Sequence, residues 1–150
     1  MKKSKVIIAF FIVLLQSCSS KTKECYECFT PPESFIFEII DKSTGENVFT
    51  NGTYSIDDIA ITNTLNNNET VDFNLITENV NLIEINSIGW QTEKVNLRFT
   101  IDNKDIFDFY VDVERNSRDC CSFSEFNEIS ILNSDFELDT DTGLYKIFLE

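Results

Sequence analysis

Two stretches in the middle of the chain alternate apolar and polar residues without a miss. In residues 94–102, Val95, Leu97, Phe99 and Ile101 fall on one side, and Lys94, Asn96, Arg98, Thr100 and Asp102 on the other. In residues 107–114, Phe107, Phe109, Val111 and Val113 are separated by Asp108, Tyr110, Asp112 and Glu114. Successive side chains of a strand point to opposite faces, so period two with one apolar set means a strand with one buried and one wet face. Coiled as a helix, the same residues would scatter around the axis. The polar tetrad Asp102-Asn103-Lys104-Asp105 predicts the turn that makes these runs an antiparallel hairpin.

The rest of the chain after residue 33 follows suit at spacings of roughly ten residues, the rhythm of short strands and turns. Strands are predicted over residues 35–40 (apolar on both faces, hence central), 47–50, 56–62, 71–77, 80–87, 128–132, 135–138 and 144–149. Ser43-Thr44-Gly45, Glu78-Asn79 and Asp139-Thr140-Asp141-Thr142-Gly143 are their turns, and Asn66-Asn67-Asn68 a polar loop. No segment keeps an apolar period of 3.6. The fold class is therefore all-β: an antiparallel β-sandwich of about eight or nine short strands over residues 34–150, with a closed β-barrel as the alternative. The segment FEIIDKSTGENVF, residues 37–49, resembles the first hairpin of transthyretin-like or carboxypeptidase-regulatory-like domains.

The beginning of the chain has a different character. Lys2, Lys3 and Lys5 precede an unbroken apolar run over residues 6–15, too short for a transmembrane helix and the right length for a signal-peptide core. The run ends in Leu15-Gln16-Ser17-Cys18, which resembles the lipobox of bacterial lipoprotein precursors. The resemblance covers residues 1–18. It implies that Cys18 receives a diacylglycerol, that residues 1–17 are removed as a signal peptide, and that the new amino group is acylated. Two or more acyl chains (palmitate, for example) hold a protein stably to a bilayer, so no transmembrane helix is needed. Residues 18–33, closed by Pro31-Pro32, read as a lipidated tether. The composition resembles that of small lipoproteins of Bacteroidota. Ser19 stands where the enteric lipoprotein family keeps an aspartate for inner-membrane retention, and SSKTKE lacks the acidic surface-export tag of Bacteroidota. The expected location is the cell envelope, lipid-anchored at the outer membrane and facing the periplasm.

Four more cysteines remain: Cys25, Cys28, Cys120 and Cys121. An even number in an oxidising compartment reads as two disulfides. Three connectivities are possible. Adjacent cysteines in an extended strand point apart, which disfavours the local pairing and favours long-range bonds from the tether to the 115–125 region, there read as a polar connection that such bonds would order. Each would close a loop of roughly 90 residues, the first contributing on the order of 4 kcal/mol in the chain-entropy account and the second less, because the loop is by then already closed. Zinc ligation and a Cys-x-x-Cys redox site are the competing readings, but Pro31-Pro32 follows the motif too soon for a redox helix, and adjacent cysteines seldom ligate one metal.

Charge and composition remove whole classes of function. The chain has 26 acids, 12 Lys and Arg and a net charge of −14, which becomes −17 once the three lysines of the signal peptide are lost. No basic patch exists for nucleic acid. The absence of histidine excludes Ser-His-Asp and Cys-His catalysis and His-ligated metals. Trp90, beside Gly89, could stack on a sugar or plug the end of the sandwich; Tyr110, between Asp108 and Asp112, could contact a partner or pack across strands. Asp139 and Asp141 are the best calcium candidates, although their spacing to Gly143 misses the EF-hand order; otherwise no cofactor or metal is implied. The leading expectation is a non-enzymatic, membrane-anchored lipoprotein presenting a disulfide-stapled β-sandwich as a binding or structural module, held to the lipid bilayer through Cys18. An envelope protein or a glycan is its expected ligand. The alternatives are a periplasmic immunity-type inhibitor of a basic toxin, and an envelope hydrolase using carboxylates alone.

Overall fold

A computed structural model describes residues 28–118 and 120–150; the signal peptide, Cys18, Cys25 and most of the tether lie outside the described residues. The strands are β1 (Cys28–Phe29), β2 (Phe35–Asp41), β3 (Ile59–Asn63), β4 (Glu69–Thr70), β5 (Asn74–Ile76), β6 (Leu82–Ile85), β7 (Glu93–Ile101), β8 (Lys104–Arg118), β9 (Cys121–Leu132), β10 (Asp135–Asp139) and β11 (Leu144–Leu149). They form a sandwich of a six-stranded sheet, in the order β1-β9-β8-β7-β3-β4, and a five-stranded sheet, β10-β11-β2-β6-β5. Neither sheet closes on itself, so the barrel alternative is not what forms. Pairing is mostly antiparallel; β1 with β9 and β11 with β2 are the parallel exceptions. Among the described residues no helix is long and apolar enough to cross a membrane.

The alternating runs supply the core. Val95, Leu97, Phe99 and Ile101 of β7 lie against Phe107, Phe109, Val111 and Val113 of β8, all buried. Phe37 of the opposite sheet is fully buried among them, with ring centroids 5.1 Å from Phe99, 5.6 Å from Phe107 and 5.0 Å from Phe109. Phe99 and Phe107 stack at 4.1 Å. These contacts join the two layers, and along residues 35–40 Ile40 is buried as well as Phe35, Phe37 and Ile39.

Backbone turns follow side-chain chemistry. The β7–β8 hairpin closes on Asp102 (φ 49°) and Asn103 (φ 60°), because Ile101 already pairs with Lys104; two successive positive φ values suit Asx residues in a tight hairpin. Gly143 (φ 73°) ends the β10–β11 turn as anticipated.

Three strand expectations are corrected. Residues 47–50 make only an isolated bridge, Ile40 to Asn47, so the hairpin likened to transthyretin-like domains is not completed. The reason is Asn47: buried, its Oδ1 accepts from the Phe49 and Thr50 amides at 3.0 Å and its Nδ2 donates to the Asn81 carbonyl at 2.9 Å, which curls the chain. Residues 56–58 form a 3-10 turn capped by Ser55, and β3 starts after it. The region around 115–125 is not a loose connection. Strands β8 and β9 continue through it, pairing from Asp108–Leu132 out to Arg118–Cys121, and they are far from short.

Candidate functional site

The extra length of β8 and β9 makes an arm. Burial against the opposite sheet stops at Val113 on β8. Beyond it, residues 114–118 and 121–125 run on as a ribbon of about 16 Å. Buried apolar positions do not hold the arm together; covalent and polar links do. Strand β1 lies along its tip, with Cys28 opposite Cys121 in the parallel register and their Cα atoms 4.5 Å apart, joined by a disulfide across 93 residues. Cys120, at positive φ (76°) in the tip, is disulfide-bonded too. The long-range expectation thus holds for Cys28 and Cys121, and the Cys25 and Cys18 assignments fall outside the described residues.

The base of the arm is a polar knot. Arg115 donates from Nη1 to Ser124 Oγ (2.8 Å) and from Nη2 to the Thr30 carbonyl (3.1 Å), and Ser124 Oγ donates to the Gly89 carbonyl (2.6 Å). Gly89 has φ of 89°, and a Cβ there would sit 3.2 Å from Pro32 and 3.3 Å from Phe126. Both the conformation and the close approach call for glycine. The arm is therefore clamped to Thr30, just before Pro31-Pro32, and to Gly89, and β1 lies within the span read as tether.

Trp90 follows this glycine. It does not plug the sandwich: its side chain is 51% exposed and Nε1 donates to the Asn86 carbonyl at 2.8 Å. Tyr110 lies half-buried on the outer face of the six-stranded sheet, level with Asn96 and Ser130. Its neighbours include the Lys94–Asp112 pair (2.6 Å) and the bidentate Arg98–Asp108 pair (2.9 and 3.2 Å). Since Ser124 touches Gly89 and Ser130 lies six residues further along β9, the two aromatics are separated by roughly 20 Å of strand and do not share a site.

Asp139 is committed to its own turn. Its Oδ1 accepts from the Asp141 amide (3.0 Å) and the Thr142 amide (3.3 Å), and these bonds hold its carboxyl below the ordinary carboxylate range. Among the described residues no group of three or more acidic or thiol side chains is arranged to hold a metal. Asp108 is the one buried acid among them, and it is engaged by Arg98 and by Asn133 Nδ2 at 3.1 Å; this is not the acid pair in a cleft that carboxylate hydrolysis calls for.

One feature was not anticipated from the sequence. Between β9 and β10 the sandwich stands open in a recess of about 300 Å³, lined by Ile129, Ser130, Ile131, Phe136, Leu138 and Tyr145. Phe136 and Leu138 lie opposite buried Ile147 and Tyr145 on β11 and so face inward, yet they remain 46% and 40% exposed. Alternation in DFELD showed which side chains turn inward. It carried no signal that the facing sheet stops short of them.

Compared with known proteins, the chain matches no family model, no curated protein and no solved structure.

Proposed function

We propose that this protein is a lipid-anchored, non-enzymatic module of the bacterial cell envelope, held to the outer membrane through Cys18 and presenting its sandwich to the periplasm as a binding or structural unit. The observation that carries the reading is the Cys28–Cys121 disulfide. Such bonds persist in oxidising compartments, and this one ties the chain ten residues after the lipobox cysteine to the tip of a projecting arm. The anchor would then meet the folded domain at a covalently fixed point. A pull on the tether would load the arm and its staple before it reached the aromatic core.

The test is intact-mass analysis and fractionation of the full chain expressed in a bacterial host. The expected product lacks residues 1–17, carries diacylglycerol on Cys18, contains no free thiol and sediments with membranes. A Cys18→Ala variant should remain an unprocessed precursor. A full-length product of unmodified mass with reduced thiols would overturn the reading.

A second reading has one observation in its favour. Residues 121–143 contain six acids and no lysine or arginine, which suits an immunity-type inhibitor that covers a basic toxin. A strongly basic product encoded next to this gene and bound by the purified chain would favour it.

A further inference from the structure

We infer that the open seam between β9 and β10 is a docking site for an extended segment of another protein, one that alternates apolar and basic side chains and adds as a strand to the free edge of β10. This deepens the binding-module reading above and rests on it only for the word binding. The geometry does not involve the anchor.

Three observations converge on the seam. First, among the described residues β10 is the edge of its sheet and is paired on one side only, with β11. Second, its alternation is bipartite: Phe136 and Leu138 face inward, over the recess, while Asp135, Glu137 and Asp139 face outward. Inward-pointing charges are one device that keeps an edge strand from pairing; here the inward positions are large and apolar, and the charges lie outward. Third, the recess has apolar walls on both sides, from Ile129 and Ile131 of β9 and from Tyr145 behind β10. A strand laid along β10 would make main-chain hydrogen bonds with it and drop alternate side chains into that space, the strand-addition mode of peptide recognition.

Charge selects the occupant. The segment framing the seam, residues 128–143, carries Glu128, Asp135, Glu137, Asp139 and Asp141 and no base. Lys42 reaches Asp135 at 2.8 Å and Lys146 lies 3.8 Å from Glu137, so the rim stays negative after both lysines are counted. A second copy, bringing the same acidic rim and a net charge of −14, would be repelled. Residues 18–27 of this chain offer Tyr26 as their one large ring, without alternation. An incoming strand with lysine or arginine at its outward positions satisfies the rim, and apolar residues between them satisfy the recess.

The probe is an acetylated, amidated nonapeptide, KVKIKFKVK, added to the purified full chain, in phosphatidylcholine nanodiscs if the product is acylated and in buffer if it is not. Binding is read by fluorescence anisotropy and by hydrogen exchange. The expected result is saturable binding, with new amide protection confined to residues 128–139. Replacing every lysine of the peptide by glutamate should weaken it at least tenfold. N-methylation of one alternate set of peptide amides should abolish binding, and methylation of the other set should leave it. Leu138→Lys should weaken binding at least tenfold without lowering the melting temperature, and Leu138→Thr serves if the lysine variant is unstable. Four results would overturn the proposal: absence of binding, tolerance of both methylated sets, binding unaffected by both Leu138 variants, or sedimentation showing that the seam is already filled by a second copy. None of these bears on whether Cys18 is acylated, so the anchor and the seam stand or fall separately.

Discussion

At the scale of single residues, much of the chain's polar chemistry is spent on turns. Asp41 and Asp139 illustrate this. Asp41 Oδ1 accepts from the hydroxyl and amide of Ser43 (2.6 and 2.7 Å) and from the Thr44 amide (3.1 Å), and Asp139 serves its own turn in the same way. In both, hydrogen bonds to the ionised form hold the carboxyl below its ordinary value of 3.8. The sign of the consequence follows. A carboxyl depressed in the folded state stabilises the fold fully above its unfolded pKa, and that contribution fades as pH falls through the lower, folded value. Replacing Asp139 by alanine should therefore lower the melting temperature at neutral pH, and the difference from the unmodified protein should shrink as pH falls below the ordinary carboxylate range. Melting curves of the two proteins across an acid series check this. A difference that persists unchanged at the acid end would mean that the carboxylate's charge is not what the turn uses.

Elements differ in how plainly the sequence announces them, and the reason is burial. Strands β7, β8 and β11 are legible because one face of each meets a partner layer, so apolar residues recur at every second position; β10 shows the same alternation although its inward side chains stay exposed. Strand β9 was legible only as its last third. Its first residues, Cys121-Ser122-Phe123-Ser124-Glu125, belong to the arm, where no opposing sheet imposes a pattern. A bulge between Asp112 and Val113 then shifts the register around Asn127, which breaks the remaining alternation. Residues 47–50 erred in the other direction: Val48 and Phe49 are buried as a strand's would be, but by a turn that Asn47 organises. Of the candidate sites, the long-range character of the cysteines could be read from the adjacency of Cys120 and Cys121. Their register with β1 could not, because a two-residue strand has no period. The arm makes its own prediction. Replacing Cys28 and Cys121 by serine removes a link across 93 residues, with an expected loss below the ~4 kcal/mol that a lone link of this span carries in the chain-entropy account, because Cys120 at the same tip stays disulfide-bonded. The loss should also be local. Amides of residues 114–118 and 121–125 should exchange early, while those of Phe37, Phe99 and Phe109 in the core keep most of their protection. Hydrogen exchange on the double variant, alongside urea unfolding, measures both. Uniform deprotection of core and arm would show that the arm is not an independent element.

For the molecule as a whole, the distribution of charge sets a contest whose winner can be named. The described ion pairs are surface pairs: Lys42 with Asp135 and Glu150, Lys94 with Asp112, Arg98 with Asp105 and Asp108, and Lys146 with Glu137. Most of these side chains are well exposed, with Asp108 and Asp112 the exceptions, and exposed pairs contribute little each. Against them stands the chain's net charge of −14, most of its acids lying on a domain whose longest strand, at 15 residues, spans about 50 Å. Like charges at such separations repel through a field that low salt leaves intact, since the Debye length is ~30 Å at 0.01 M, and that is cut back when it falls to ~10 Å at 0.1 M. Contacts at hydrogen-bond distance are far less sensitive. Unfolding relieves the repulsion by spreading the charges, so the folded state carries the larger penalty at low ionic strength. Adding sodium chloride from 10 to 150 mM should therefore raise the melting temperature, and should do so more for the unsubstituted chain than for one with several surface acids replaced by their amides. A melting temperature that falls with salt would mean that the handful of ion pairs outweighs the excess of carboxylates. The same screening should weaken capture of a basic strand at the seam, so stability and binding would move in opposite directions along one salt series.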